Sequence, residues 1–193
     1  MKRILIALFL ILSLAICLPA CTNGIVEENP AFAKFNEMFT NAFDNYTISV
    51  STTSYNGDIL NDKYVVKTID GITYVTYTVE TLNEFIMEGD KIGIPDGYKT
   101  VTEGVYNSNT DAEAVQNYAV PKFNFSNKYI GNVYISDSMF SADITSLEGF
   151  MGLSLNVTDA TVIITFSGNA PASVIISYTT AAESSVIITY TLN

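Results

Sequence analysis

The chain has 193 residues, and its 20 acidic and 9 basic side chains give a formal net charge of −11. Such a surface repels a phosphate backbone, so nucleic acid is excluded as a partner. The chain contains no His, and after Cys21 it contains no Arg, no Trp and no further Cys. This excludes triads that need imidazole or a thiolate, zinc sites built on His or Cys, and guanidinium clamps on phosphate. We expect a protein that is not an enzyme, with no catalytic residue, no cofactor and no metal.

The start of the chain has the three parts of a secretory signal peptide. A basic pair follows the first methionine, an apolar run covers residues 4–16, and Leu18-Pro19-Ala20 precedes Cys21. A helix that spans a membrane needs about 20 apolar residues, which is more than this run provides. The pattern therefore predicts a signal peptide over residues 1–20 rather than an uncleaved anchor.

The segment Leu18-Pro19-Ala20-Cys21 resembles the lipobox of bacterial lipoproteins. The resemblance implies that signal peptidase II cuts before Cys21 and that diacylglycerol, with acyl chains such as palmitate, is joined to its sulfur. Two or more acyl chains hold a protein firmly on a bilayer. We therefore expect an extracytoplasmic protein that is lipid-anchored to the bacterial cell membrane or outer membrane, with the membrane as its partner through that anchor.

Residues 21–29 should then form a lipidated, polar tether to the folded part of the chain. The eight residues after the cysteine span at most roughly 28 Å, so the folded part stays close to the bilayer. Removal of the signal leaves 7 basic and 20 acidic side chains, a net charge of −13.

An amphipathic helix is predicted over residues 30–43. Asn29 is a good N-cap and Pro30 suits the first helical position. The apolar residues at helical spacing are Phe32, Phe35, Phe39, Ala42 and Phe43. This aromatic face either packs against a sheet as core or lines a lipid site.

From Tyr46 onward the pattern alternates with period two and is rich in Val, Ile, Thr and Tyr, which is typical of β-strands. Turn dipeptides separate the strands, above all Asn56-Gly57 and Asp70-Gly71. The predicted strands cover residues 46–50, 63–69, 72–79, 85–88, 91–94, 98–106, 129–135 and 140–144, with a short helix over 111–118. Residues 107–160 are the least readable part of the chain.

The last third of the chain predicts a three-stranded antiparallel meander. One six-residue pattern begins at Val162, again at Val174 and again at Val186, each start twelve residues after the last. Twelve residues are one strand and one turn. Alternation then turns one set of side chains inward, namely Val162, Ile164, Phe166, Ile176, Tyr178 and Ile188.

A leading amphipathic helix, a long antiparallel meander and a lipid anchor together resemble the LolA/LppX type of envelope lipoprotein. In that family a curved half-barrel encloses an apolar cavity, is capped by helices and holds acyl chains. The resemblance covers residues 30–193 and implies a single α+β, mostly β domain, in which the helix packs on a half-barrel-like meander. A β-sandwich is the alternative, since regular strand spacing fits that fold too.

Two functions fit these observations. The first is the non-enzymatic binding of a hydrophobic ligand or lipid between helix and sheet, with the aromatic residues Phe35, Phe39, Phe166, Tyr178 and Tyr190 as the wall of the cavity. It requires an apolar cavity of roughly 300–1,000 Å³. The second is an envelope or surface module that contacts another protein and holds no small ligand. It requires a packed core and an exposed apolar patch of more than about a few hundred Å².

Overall fold

The computed structural model describes residues 28–40, 43–82, 86–88, 91–93 and 99–193. The predicted signal peptide and Cys21 lie outside these ranges. The helices of the described part are α1 (Pro30–Met38), α2 (Ala112–Gln116) and α3 (Leu147–Met151). Its strands are β1 (Asn45–Thr53), β2 (Ile59–Ile69), β3 (Ile72–Leu82), β4 (Ile86–Glu88), β5 (Lys91–Gly93), β6 (Lys99–Asn107), β7 (Ile130–Ile135), β8 (Met139–Ile144), β9 (Val157–Ser167), β10 (Ala170–Thr180) and β11 (Ser185–Leu192). No helix within this part is long and apolar enough to cross a membrane.

Nine strands form one antiparallel sheet in the order β6-β3-β2-β1-β11-β10-β9-β8-β7. The prediction of a mostly antiparallel β fold is confirmed, and so is the C-terminal meander of β9, β10 and β11. The sheet consists of two meanders rather than one, because β1 pairs with β11, from Tyr46 opposite Leu192 to Thr53 opposite Ser185. The strands β4 and β5 form a separate hairpin. A continuous ladder through all nine strands does not fit the alternative of two packed sheets, as far as the described residues go.

The strand register places the apolar side chains of the C-terminal meander on one side of the sheet, the inner face. Val174 lies opposite Ile164 on β9 and opposite Tyr190 on β11. Both aliphatic side chains are 0% exposed. The six side chains predicted to face inward belong to this core or pack against it, so that prediction is confirmed. Pairing through β1 continues the inner face to Ile48, Tyr64 and Tyr77 on the N-terminal meander.

The helix α1 begins as its sequence predicts but is shorter. The Asn29 side chain accepts a hydrogen bond from the backbone N–H of Ala31 at 3.0 Å, which satisfies one free donor of the first turn. The helix ends at Met38, with Phe39 as its C-cap, so the predicted end at residue 43 was wrong. The cause is local, because β1 starts at Asn45 and the chain must leave the helix to reach the sheet. Residues 41 and 42 lie outside the described part.

The helix α3 is an element that the sequence did not predict. Ser146 caps it by accepting a hydrogen bond from the Gly149 N–H at 3.1 Å, and Gly152 ends it with φ +77°. It carries two buried side chains, Leu147 and Phe150, into the core. The strands β7 and β8 in the same part of the chain lie close to the predicted positions.

Candidate hydrophobic ligand site

A cleft of about 510 Å³ lies between α1 and the ends of strands β7 to β10. From the helix it is lined by Lys34, Phe35 and Met38, and from the strand ends by Ile135, Asp137 and Phe166. Its volume falls within the range of roughly 300–1,000 Å³ that is usual for small-molecule sites. Two of the five aromatic residues that were predicted to form a ligand wall, Phe35 and Phe166, line this cleft.

Phe35 forms the floor of the cleft and connects it to the aromatic core. Its ring centroid lies 5.8 Å from that of Phe166, nearly parallel, and 4.9 Å from that of Phe140, edge to face. The Phe125 ring lies 5.4 Å away on another side. Offset or edge-to-face rings at these distances attract one another, so the floor is rigid and apolar.

The rim of the cleft carries charge of both signs. Lys34 is exposed on α1, and Asp137 is exposed in the turn between β7 and β8. No ion pair joins the two among the described residues, where the salt bridge found joins Lys99 and Glu80. An apolar chain could therefore lie on Phe35, Met38 and Phe166 while its polar end meets solvent and Lys34.

The other three predicted wall residues lie away from this cleft. Phe39 lines a smaller cleft of about 310 Å³, together with Phe43 and Tyr46. Tyr178 and Tyr190 are buried on the inner face of the sheet. Burial raises the pKa of Tyr190 well above its ordinary value, with further contributions from nearby tyrosines. Phe35 and Phe166 therefore lie together at the cleft, and Phe39, Tyr178 and Tyr190 lie elsewhere.

A tyrosine cluster on the inner face of the N-terminal meander was missed by the sequence reasoning. Tyr77 stacks on Tyr106 at 4.8 Å, Tyr106 on Tyr118 at 6.2 Å, and Tyr118 lies 4.5 Å from Tyr64. Burial and the carboxylate of Asp62 raise the pKa of Tyr64 to about 12. Part of this cluster could have been predicted from the sequence, because Tyr64 and Tyr77 occupy strand positions on the same side of the sheet as Ile48.

Asn36 holds α1 against the segment that leads into β7. Its side-chain amide donates to the Phe125 carbonyl at 3.1 Å, and its side-chain oxygen accepts from the Phe125 N–H at 2.8 Å. The paired bonds satisfy both backbone groups of one residue. They fix the helix beside the cleft and bring Phe125 under Phe32, at 6.3 Å between ring centroids.

No group of three or more acidic or Cys side chains that could hold a metal ion occurs within the described ranges. The polar loop after β6 is closed by its own hydrogen bonds. The Asn107 side chain accepts from the N–H groups of Asn109 and Thr110, and Asp111 accepts from the Thr110 hydroxyl at 2.6 Å. These oxygens are engaged in forming a turn.

Comparison with known proteins identifies no family. No family model matches the chain, and no curated protein matches it. Among solved structures, a redesigned β-barrel is similar at 10% sequence identity, covering 82% of this chain and 94% of its own, with a TM-score of 0.21. A TM-score this low does not indicate a shared function. The class of the protein, a mostly β chain whose described part contains a nine-stranded open antiparallel sheet, rests on its own strand pairings.

Proposed function

We propose that the chain is a membrane-anchored, extracytoplasmic lipoprotein that binds a hydrophobic ligand or lipid in the cleft beside α1 and carries out no catalysis. The observation that carries this proposal is the cleft itself, with Phe35, Met38, Ile135 and Phe166 as its apolar lining. Anchoring at Cys21 would keep the cleft near a source of lipid, since α1 begins nine residues after the cysteine.

The proposal includes a finer view of the fold, in which α1 closes one end of a half-barrel-like sheet. Ring contacts support it, because Phe35 touches Phe140 on β8 and Phe166 on β9. Burial also supports it. Phe140 is 0% exposed near α1, whereas Tyr64, Tyr77 and Tyr106, farther from the helix, are partly exposed.

A fluorescent fatty-acid probe tests ligand binding in this cleft. Ala31 faces the cleft and Ala33 is exposed on α1 outside it. In residues 22–193, Ala31→Trp should fill the cleft and weaken the probe's Kd about tenfold or more, which corresponds to about 1.4 kcal/mol. Ala33→Trp adds the same ring outside the cleft and should leave the Kd unchanged. Equal effects of the two variants would place the probe elsewhere.

Metabolic labelling tests the anchor separately. The wild-type chain should take up radioactive palmitate in a bacterial host, and Cys21→Ala should abolish the label. Label that persists in the variant would show that the lipid is attached at another residue or that no lipobox operates.

A second candidate function, contact with another protein, is favoured by one observation. Large apolar side chains are exposed on the outer face of the N-terminal meander, namely Ile59, Ile69, Leu82, Val101 and Val105. Of these, Ile69 and Val105 line one shallow cleft on this face, and contiguous exposed apolar patches mark interaction surfaces on soluble domains. This surface belongs to strands β2, β3 and β6, away from the cleft.

A further inference from the structure

One edge of the sheet is long and regular, and the other is interrupted. The edge strand β6 pairs with β3 from Lys99 to Asn107 without a register shift. At the opposite edge, β7 carries a register shift between Gly131 and Tyr134, and Asn132 has φ +47°. A bulge bends an edge strand away from further pairing, which is one way in which proteins block strand addition. The edge at β7 has this block, whereas the described residues of β6 contain no bulge.

The alternation of backbone hydrogen bonds along β6 shows which N–H and C=O groups point away from β3. The Ser108 N–H donates to the Thr73 carbonyl at 2.9 Å. Residues of an antiparallel strand bond alternately to one neighbour and to the other. Counting back from Ser108, the N–H and C=O groups of Val101, Glu103 and Val105 therefore point away from β3. Within the described residues these groups have no backbone partner.

The side chains along this edge have a definite chemical pattern. Val101 and Val105 are more than half exposed on the outer face, and the exposed Glu103 lies between them on that face. The neighbouring Glu80 is paired with Lys99, at 3.0 Å between the charged atoms. Glu103 is in no ion pair among the described residues, so a carboxylate without a salt-bridge partner lies at the middle of the edge.

We propose that β6 is a docking edge that takes an extended segment of another protein as an added strand. The segment would carry two apolar side chains, opposite Val101 and Val105, and a basic side chain between them, opposite Glu103. Strand addition supplies main-chain hydrogen bonds, and alternate side chains supply specificity. The inference deepens the second candidate function and rests on it.

A second copy of this chain fits the edge less well. Pairing two β6 strands with Val101 opposite Val105 places Glu103 opposite Glu103, and like charges in that position destabilise a strand pair. The net charge of −11 on each chain adds a general repulsion. The basic segment removes both costs, which is why we assign the edge to a different protein.

The test uses a short synthetic peptide of alternating valine and threonine with one central lysine, and a matched peptide with central glutamate. Each is titrated into the purified protein while the backbone amide signals are followed by NMR. The lysine peptide should bind about threefold to tenfold more tightly than the glutamate peptide. The largest shifts should occur at Val101, Glu103 and Val105.

Three variants make the result specific to the edge. Glu103→Lys should reverse the preference, so that the glutamate peptide binds more tightly. Glu37→Lys makes the same charge change at an exposed position on α1 and should keep the original preference. Val105→Pro removes an outward N–H without removing a bond to β3, and it should abolish binding of both peptides.

Failure to bind the lysine peptide, equal affinity for the two peptides, or unchanged binding by Val105→Pro would overturn the proposal. A dimer in sedimentation that Val105→Pro dissociates would also overturn it, because the occupant would then be a second copy. None of these outcomes bears on the cleft beside α1, because the fatty-acid probe measures that site independently and β6 lies at the opposite end of the strand order.

Discussion

Tyr77 covers Gly104 across the β3–β6 pair. The two residues are direct partners in the ladder, and a Cβ built on residue 104 would overlap the Tyr77 ring, with its Cε1 atom only 2.7 Å away. A glycine inside a strand usually costs about 0.5–1 kcal/mol relative to alanine. Because residue 104 has no Cβ, the Tyr77 ring can lie over it and stack on Tyr106.

Gly104→Ala should therefore destabilise the protein, although alanine is ordinarily the better strand residue. We expect a loss of about 0.5–1.5 kcal/mol in the free energy of unfolding, about the contribution of the Tyr77–Tyr106 ring pair that the new Cβ displaces, measured by urea denaturation. Gly131→Ala is the matched control, because its nearest neighbour would be a Thr145 methyl at 3.9 Å, an ordinary contact. Equal stability of the two variants would refute the role assigned to Tyr77.

The raised pKa values of Tyr64 and Tyr190 predict a loss of stability in alkali. Tyr64 has a pKa raised to about 12 by burial and by Asp62, and burial raises that of Tyr190 further. In the unfolded chain tyrosine ionises near pH 10. From about pH 10 to 12 the unfolded chain releases protons that the folded chain keeps, so the free energy of unfolding falls as pH rises.

Urea denaturation at a series of pH values measures this effect. The midpoint should be steady below about pH 9 and fall between about pH 10 and 12. Tyr64→Phe should reduce the fall, because it removes one of the groups that ionise unequally. An identical pH dependence in the wild type and the variant would contradict this cause.

At the scale of elements, α1 is held by a side chain as well as by its aromatic face. Asn36 makes two hydrogen bonds to the backbone of Phe125. Asn36→Ala would leave the Phe125 N–H and C=O groups without these partners. Buried groups that lose their partner cost about 1–3 kcal/mol.

We expect Asn36→Ala to lower the stability by about this amount and to speed hydrogen exchange throughout α1. Asn36→Asp keeps the acceptor for the Phe125 N–H and should lose less. Slower exchange at the Phe125 amide in Asn36→Asp than in Asn36→Ala would support the assignment. If hydrogen exchange in both variants equals that of the wild type, the hydrogen bonds between Asn36 and Phe125 do not hold the helix.

Most helices and strands could be predicted from the sequence, because caps, turns and the alternation of apolar residues depend on residues that are neighbours in the chain. Asn29-Pro30 marked the start of α1, and Asp70-Gly71 marked the β2–β3 turn, where both residues have positive φ. The end of α1 was mispredicted because Phe39 and Phe43 continue the helical spacing although the chain leaves the helix before them. The helix α3 is only five residues long, too short for a periodic pattern to show.

The site depends on contacts that no local pattern contains. Phe35 and Phe166 are far apart in sequence, and they meet because α1 lies over the ends of β8 and β9. Phe39, the C-cap of α1, continues the same spacing, yet its ring packs against that of Phe123, 5.0 Å away between centroids. The sequence could name aromatic candidates, but only the packing of α1 separates those at the cleft from those in the core.

The pairing of β1 with β11 joins two halves of the sheet that differ in the packing of their inner faces. The C-terminal half has a closely packed aromatic and aliphatic core under α1 and carries the cleft. On the inner face of the N-terminal half, the buried side chains of Ile48, Val66 and Val75 lie beside partly exposed tyrosines. In the part of the chain that the structure describes, this half ends at the edge strand β6. The two candidate surfaces therefore lie in different halves, and variants can test them independently.

Native mass spectrometry of residues 22–193 expressed in bacteria, followed by solvent extraction of bound material, measures directly whether the cleft beside α1 holds a lipid. We expect the wild type and Ala33→Trp to carry a co-purifying lipid mass and Ala31→Trp to carry none. A wild-type protein without any bound mass, or a lipid that persists in Ala31→Trp, would contradict a hydrophobic ligand in the cleft beside α1.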